Sequence, residues 1–375
     1  MPDGRPLTIH WVEGRPSLSG GIKSNRLIAE AMARRGHRVT TFHLPPSRGW
    51  PSLRHPRLFL HRLGLAFKHH KSGYRHHLEH GEIPRVQFPR RKLDPVVVPD
   101  ADVLFSSWWG VWREVAGWPD SKGLKIHYAR HHETHGGPIE EVHAAYAIPG
   151  PKVVISSWLA RVMEGYGHTE ILRVPNGVNW KQFDSEPREK SDPPTVGMLM
   201  RDAVFKDTPV GLEALRRVQE RVPGVRFIGF GQQPIPDGWT LPEGLEYHLQ
   251  PAQDLIPKLY QRCDCWLVPS AAEGFGMPGL EAAAGHCPIV STRCGGPEDY
   301  VRDGVNGYLV DVGDAQAMAD GIERVLRLDP EDWRAMSASS YAIAREFDWD
   351  RSAAKLEAAL YRWLDERAVR PRSAG

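Results

Sequence analysis

The chain has 375 residues, of which 41% are hydrophobic and 25% charged, a composition that supports two packed cores and excludes global disorder. Its 48 Lys and Arg stand against 46 Asp and Glu, and a net charge of +2 gives no overall electrostatic case for a nucleic-acid partner. Cys263, Cys265, Cys287 and Cys294 all fall in the C-terminal part without the paired spacing of a zinc or redox motif, so they read as buried thiols of a reducing compartment. Met1 to Pro6 carries no apolar segment, and no run of about 18 apolar residues follows, so the expectation is a cytoplasmic protein.

In chain order, Leu7 to Val12 predicts a strand, the Gly- and Ser-rich turn after it a loop, and Leu27, Ile28, Ala31 and Met32 a helix that ends at Gly36. Val39 to Phe42 supplies the next strand and completes a βαβ unit, which implies a parallel sheet. Further strands are predicted at 102–105, 124–128, 153–155 and 171–174. The charged, Pro-rich run 185–194 has no apolar anchor and reads as an interdomain linker. A second series follows, with strands predicted at 195–200, 225–228, 265–268, 289–292 and 308–310. Two doubly wound parallel-sheet α/β domains are the simplest reading, with a ligand in the cleft that faces the carboxyl ends of both sheets. Trp349, Ala353, Leu356, Leu360, Trp363 and Leu364 fall on one helical face after Asp348, a candidate N-cap. Residues 45–96 fit neither series: 11 Lys and Arg oppose three acids there, a local balance of +8, with seven histidines interleaved.

The most informative stretch is Glu273-Gly274-Phe275-Gly276-Met277-Pro278-Gly279-Leu280-Glu281, just after the strand at 265–268. Its glycines let backbone approach a ligand, Pro278 suits a first helical turn, and free amides at a helix start attract phosphate. Two carboxylates around such an anion site suit a molecule with vicinal hydroxyls on both sides of a diphosphate. The plain alternative is two solvated glutamates near a turn. Ser19-Gly20-Gly21-Ile22-Lys23-Ser24 fails as a Walker A loop because Ile22 stands where glycine is required, and Pro234 occupies the third glycine position of a dinucleotide fingerprint at Gly229-Phe230-Gly231. His131-His132-Glu133-Thr134-His135 is not H-E-x-x-H, and Gly136-Gly137-Pro138 denies it a helix, so no metal site is expected.

The run Pro269 to Glu281, with Gly295-Gly296-Pro297-Glu298-Asp299 and Asp303-Gly304-Val305-Asn306-Gly307-Tyr308, resembles family 4 of the retaining glycosyltransferases, which carry an E-x7-E motif in the second domain of a GT-B fold. Ser19-Gly20-Gly21, Pro175-Asn176-Gly177-Val178, and Arg201 with Lys206 agree with the same family. The resemblance implies two Rossmann-like domains: residues 1–188 for the acceptor, 189–346 for a nucleotide-sugar donor, and a helix over 347–375 that crosses back to the first domain. It implies that Glu281 binds the donor ribose, that Glu273 contacts the transferred sugar, and that Arg201 and Lys206 hold the diphosphate in place of a metal ion. Gly20, Gly21, Gly274, Phe275, Gly276, Met277 and Pro278 complete the implied donor site, and His131, with His132 as second choice, is the implied cleft histidine.

The expected activity is thus metal-independent, front-face transfer of a sugar from a UDP-, GDP- or dTDP-sugar to a hydroxyl of a saccharide, lipid-linked glycan or small metabolite, with no cofactor. A phosphorylase or sucrose-synthase-like enzyme of the same fold and a non-catalytic sugar-nucleotide-binding protein are the rivals. Residues 45–96, where Leu58, Leu60, Leu63, Leu65 and Phe67 intersperse the basic side chains, are expected to face an anionic acceptor or the inner face of a membrane.

Overall fold

The computed structural model describes residues 4–17, 19–46 and 76–369. By its internal contacts the chain divides into two compact units. One takes the chain up to Val154, Met163–Val174 and the chain from Asp350 on; the other takes Ile155–Val162 and Pro175–Trp349.

In the first unit the described strands are β1 (Thr8–Glu13), β2 (Arg38–His43), β3 (Arg85–Gln87), β4 (Val103–Ser106), β5 (Leu124–Ala129), β6 (Lys152–Val154) and β7 (Ile171–Arg173). They form one parallel sheet in the order β3-β2-β1-β4-β5-β6-β7. The order reverses between β1 and β4, which opens a crevice at their carboxyl ends. Val103, Leu104 and Phe105 are fully buried, as expected of a central strand covered on both faces. Around the sheet run α1 (Gly20–Arg34), α2 (Trp109–Val115), α3 (Ile139–Ala147) and α4 (Ser157–Gly165), the last shared with the second unit.

The second unit holds α5 (Trp180–Phe183), β8 (Thr195–Leu199), α6 (Thr208–Arg221), β9 (Arg226–Gly231), β10 (Glu246–Leu249), α7 (Ile256–Gln261), β11 (Cys265–Val268), α8 (Met277–Ala284), β12 (Ile289–Thr292), β13 (Gly307–Val310), α9 (Ala315–Arg327) and α10 (Pro330–Ala344). Its parallel sheet runs β10-β9-β8-β11-β12-β13 and reverses between β8 and β11. Leu212, Leu215 and Val218 of α6 and Met318, Ile322 and Val325 of α9 share one core with Val196, Met198, Leu267 and Val290 of the strands. Residues 185–194 lie inside this unit. Buried Asp264 accepts from Ser191 N at 2.9 Å and Thr195 N at 2.7 Å and pairs with Arg188 at 3.0 Å, so one carboxylate ties a segment of linker-like composition to the sheet.

The last helix, α11 (Trp349–Val369), belongs from Asp350 on to the first unit. Ala353, Leu356, Leu360 and Trp363 are buried, as the helical stripe predicts, while Leu364 is half-buried. Glu357 binds Arg35 and, at 2.9 Å, His37 Nε2, and Arg34 pairs with Asp350 at 2.7 Å.

Lys152 of β6 is fully buried and donates to Ile148 O at 2.6 Å, with His127 as its partner in β5. Burial lowers its pKa from 10.5 to about 7. Between pH 7 and 10.5 the unfolded chain therefore holds a proton that the folded chain has released. Stability should rise with pH across that window and be lost as pH falls to 7, by on the order of 5 kcal/mol at most. Urea unfolding at pH 7 and pH 9.5 should show this gain, and Lys152→Met should remove most of it.

Candidate functional site

The carboxyl ends of β8 and β11 carry most of the residues singled out by sequence in the second unit. After β8 the chain turns through Arg201 and a short 3-10 turn, Val204–Lys206, before α6. Thr208 closes this loop: its hydroxyl donates to Arg201 O at 2.8 Å and accepts from Arg201 N at 3.1 Å. Phe205 O accepts Ala271 N at 2.9 Å, which fixes the turn against the loop after β11. The result is a direct ion pair between Lys206 and Glu273, both largely buried, with Ser270 Oγ donating to the same Glu273 oxygen at 2.8 Å. Leu199, Lys206, Ser270, Glu273 and Pro278 line a small pocket there. Among the described residues no carboxylate pairs with Arg201, so this cation is available to an anion.

Glycines determine how the Glu273 loop enters α8. Gly276 has φ +78°, and a Cβ on it would lie 2.8 Å from the Tyr300 hydroxyl, which donates to Gly276 O at 2.7 Å. The loop before the 3-10 turn Gly296–Asp299 lies directly on this segment: Glu273 N donates to Cys294 O at 2.7 Å and Gly296 N to Glu273 O at 2.9 Å. A Cβ on Gly296 would fall 2.2 Å from the Phe275 Cα. Phe275 itself is buried against Tyr300 and Phe347, so its ring packs inward and is not presented at the surface. Gly274 is buried as well, whereas Met277 and Pro278 are half-buried in the first turn of α8. Glu281, buried one turn further on, accepts from the Tyr260 hydroxyl at 3.2 Å. Burial and the neighbouring carboxylate push that phenol well above its ordinary pKa, so it remains a donor.

In the first unit, Ser19 caps α1 by accepting from Ile22 N at 3.4 Å, and Gly20 and Gly21 open the helix. A Cβ on either glycine would meet nothing within 4 Å, so internal packing does not demand glycine at these positions. His131 follows β5, with Nδ1 2.9 Å from His132 O and its ring 5.2 Å from that of His135. His132 Nε2 lies 3.1 Å from the Tyr166 hydroxyl, and burial lowers its pKa.

Sequence reading passed over a buried polar group at the carboxyl ends of β1, β4 and β5. Asn25 donates to Ser107 Oγ at 2.8 Å and accepts from Arg130 Nε at 2.5 Å, and Arg130 lies 3.9 Å over the Tyr128 ring. Glu13 joins them, its carboxyl pushed up to about 7 by burial against the opposing pull of Asn25 and Arg130. Glu133, pushed up to about 8 by burial, accepts from Trp109 N at 2.8 Å. Single charged residues at strand ends look like solvated termini in sequence; the only signal was their position beside apolar strands.

Outside the second unit's site, Arg90, Arg91 and Lys92 are exposed after β3, whereas Leu58, Leu60, Leu63, Leu65 and Phe67 lie outside the described residues. No helix among the described residues is long and apolar enough to cross a membrane.

Residues 194–328 match the family model described as glycosyl transferases group 1. Among curated proteins, D-inositol 3-phosphate glycosyltransferase of Mycobacterium avium is 32% identical over 172 residues, 42% of this chain and 40% of that protein. The enzyme of the same name from Corynebacterium urealyticum is 38% identical over 115 residues, 31% of this chain and 26% of that protein. The matches thus span less than half the length of either relative. Among solved structures, the Anabaena protein HepE in complex with UDP and glucose superposes with a TM-score of 0.68 at 18% identity, covering 94% of this chain and 99% of that one. Sucrose-phosphate synthase from Thermosynechococcus elongatus gives 0.67 at 18% identity, covering 96% and 100%. The likeness to these structures is one of fold, and the fold is GT-B.

Proposed function

We propose, from the match of residues 194–328 to the family model described as glycosyl transferases group 1, that this chain is a retaining glycosyltransferase that takes its sugar from a nucleoside-diphosphate sugar. The observation that carries this reading is the Lys206–Glu273 pair beside Arg201 at the reversal point of the second sheet. Two cations stand where a diphosphate meets the carboxyl ends of the strands, and one of them orients a carboxylate able to hold sugar hydroxyls. UDP is the first base to test, since HepE is a structure with UDP and glucose.

In this reading the Gly274 to Pro278 backbone and the start of α8 receive the diphosphate, Glu281 binds the ribose, and Glu273 the transferred sugar. Gly20 and Gly21 leave room for the phosphates on the first unit, and His131 approaches the sugar or its acceptor. Transfer breaks the bond between the anomeric carbon and the diphosphate and forms one from the acceptor oxygen on the same face. The acceptor proton passes to the departing phosphate oxygen, whose growing charge Arg201 and Lys206 stabilise. With both cations in place the reaction proceeds without a metal ion and survives EDTA. Acceptor engagement, including any anionic or membrane surface, falls to the basic residues within 45–96.

Turnover of UDP-glucose by the purified protein tests the reading; absence of hydrolysis and transfer with UDP-, GDP- and dTDP-sugars would sink it. Glu281→Ala should weaken UDP and UDP-sugar alike by roughly 1.5 to 3 kcal/mol, the range for hydrogen bonds to a charged group. Calorimetric titration with UDP alone measures this, and an unchanged affinity would remove Glu281 from the ribose.

A further inference from the structure

We infer that Trp108 is a stacking platform for a six-membered polyhydroxy ring, and, resting on the glycosyltransferase reading, that this ring belongs to the acceptor. Trp108 is 40% exposed and is the only aromatic among the exposed large hydrophobic residues described, the others being single aliphatic side chains. Scattered exposed aliphatics are ordinary surface; a tryptophan left in water forgoes more burial than any other side chain.

The local structure is built around keeping it there. Trp108 occupies the N-cap of α2, a position that favours Ser, Thr, Asp or Asn, and its side chain makes no capping bond. The cap comes instead from buried Glu133, which accepts Trp109 N at 2.8 Å from 24 residues further along than Trp109. Gly136 and Gly137 then clear space for two indoles: a Cβ on Gly136 would stand 2.4 Å from Trp108, and one on Gly137 2.4 Å from Trp109. Trp109 Nε1 donates to Gly136 O at 3.3 Å and locks that loop in place. A local cap is given up, a carboxylate is buried, Gly136 makes room for the exposed indole and Gly137 for the buried Trp109 beside it. That is preorganisation of a recognition surface.

Its place defines the ligand. Trp108 follows β4, which adjoins β1 at the reversal point of the first sheet, and the loop that seats it begins with His131 after β5. An indole face offers an apolar, electron-rich surface to the C–H face of a sugar or cyclitol while the hydroxyls point to polar neighbours, and His135 is exposed on the same loop.

Saturation-transfer NMR with methyl α-D-glucopyranoside, myo-inositol and uridine as probes, in the presence of UDP, tests this on wild type, Trp108→Ala and Trp108→Phe. Ring protons of at least one polyol should receive saturation from wild type and from Trp108→Phe, and about fivefold less from Trp108→Ala, the loss of one aromatic stacking contact. Gly136→Ala, which displaces the indole, should resemble Trp108→Ala. The inference is overturned if neither polyol binds wild type, if all variants respond equally, if uridine alone depends on Trp108, or if Trp108→Ala changes only self-association in sedimentation. UDP binding by the same preparations reports the donor reading separately: its absence removes the acceptor assignment, while a Trp108-dependent polyol signal would still stand.

Discussion

Lys206→Met should lower kcat with a nucleotide sugar by about 100-fold or more, the effect of removing one preorganised group from a developing negative charge. The same change should destabilise the protein by roughly 3 to 5 kcal/mol, because it leaves Glu273 buried without its cation. Ser270 still donates to that carboxylate. The two effects separate in the double variant Lys206→Met, Glu273→Gln, in which no buried charge is stranded: stability should recover most of its loss while turnover stays low. Arg201→Ala should also cost about 100-fold, and the two losses should not add, since both cations act on one diphosphate. Urea unfolding and turnover on wild type, these variants and the Arg201→Ala, Lys206→Met double decide the matter. A stable Lys206→Met enzyme with normal turnover would remove the pair from the mechanism.

Gly296→Ala should be the most damaging single methyl in the second unit's site. Its Cβ would fall 2.2 to 2.6 Å from Cα, C and N of Phe275, all backbone, which no rotamer change relieves. The loop carrying Glu273 must then move, so a loss of about 3 kcal/mol or more is expected, together with UDP affinity. Gly21→Ala makes the contrasting control. Nothing lies within 4 Å of that Cβ, and alanine within α1 should stabilise by roughly 0.5 to 1 kcal/mol. Turnover that falls in a Gly21→Ala protein of undiminished melting temperature would show that the glycine keeps room for a ligand. If Gly296→Ala melts and binds UDP as wild type does, the backbone account of this loop fails.

Central strands were legible because their signal is continuous apolar sequence. Those predicted around Phe105, Ile126, Leu267 and Val290 all lie in sheet interiors. β3 and β10 escaped sequence reading because each is an edge strand without an apolar run, unlike the edge strands β7 and β13, whose Ile171-Leu172 and Tyr308-Leu309-Val310 are apolar. Arg85-Val86-Gln87 is exposed throughout and Glu246-Tyr247-His248-Leu249 never fully buried, so neither needs an apolar run. The donor-side motif was legible because glycines, Pro278 and two glutamates fall within nine consecutive residues. The partnership of Lys206 with Glu273 was not, since 67 residues separate them and their loops are brought together by backbone bonds from Ala271 N and Ala272 N to Phe205 O. Glu13 and Arg130 stayed hidden, and Glu133 was weighed only as part of a metal-like motif, because burial, which gives them their chemistry, leaves no mark on a charged letter. The 185–194 segment shows the converse: a polar, proline-rich composition says nothing of a buried Asp264 waiting to bind it.

The placement of the last helix bears on the order in which the molecule is made. Ala353, Leu356, Leu360 and Trp363 complete the core of a unit whose first strand leaves the ribosome more than 300 residues earlier, and Arg35 and His37 wait as long for Glu357. The second unit, by contrast, is nearly continuous in sequence and ends with the first residue of α11. Vectorial synthesis therefore delivers a finished second unit to a chain whose N-terminal half is still missing a helix and exposes apolar surface. The unit that starts first is closed last, and in the interval between its apolar surface is uncovered.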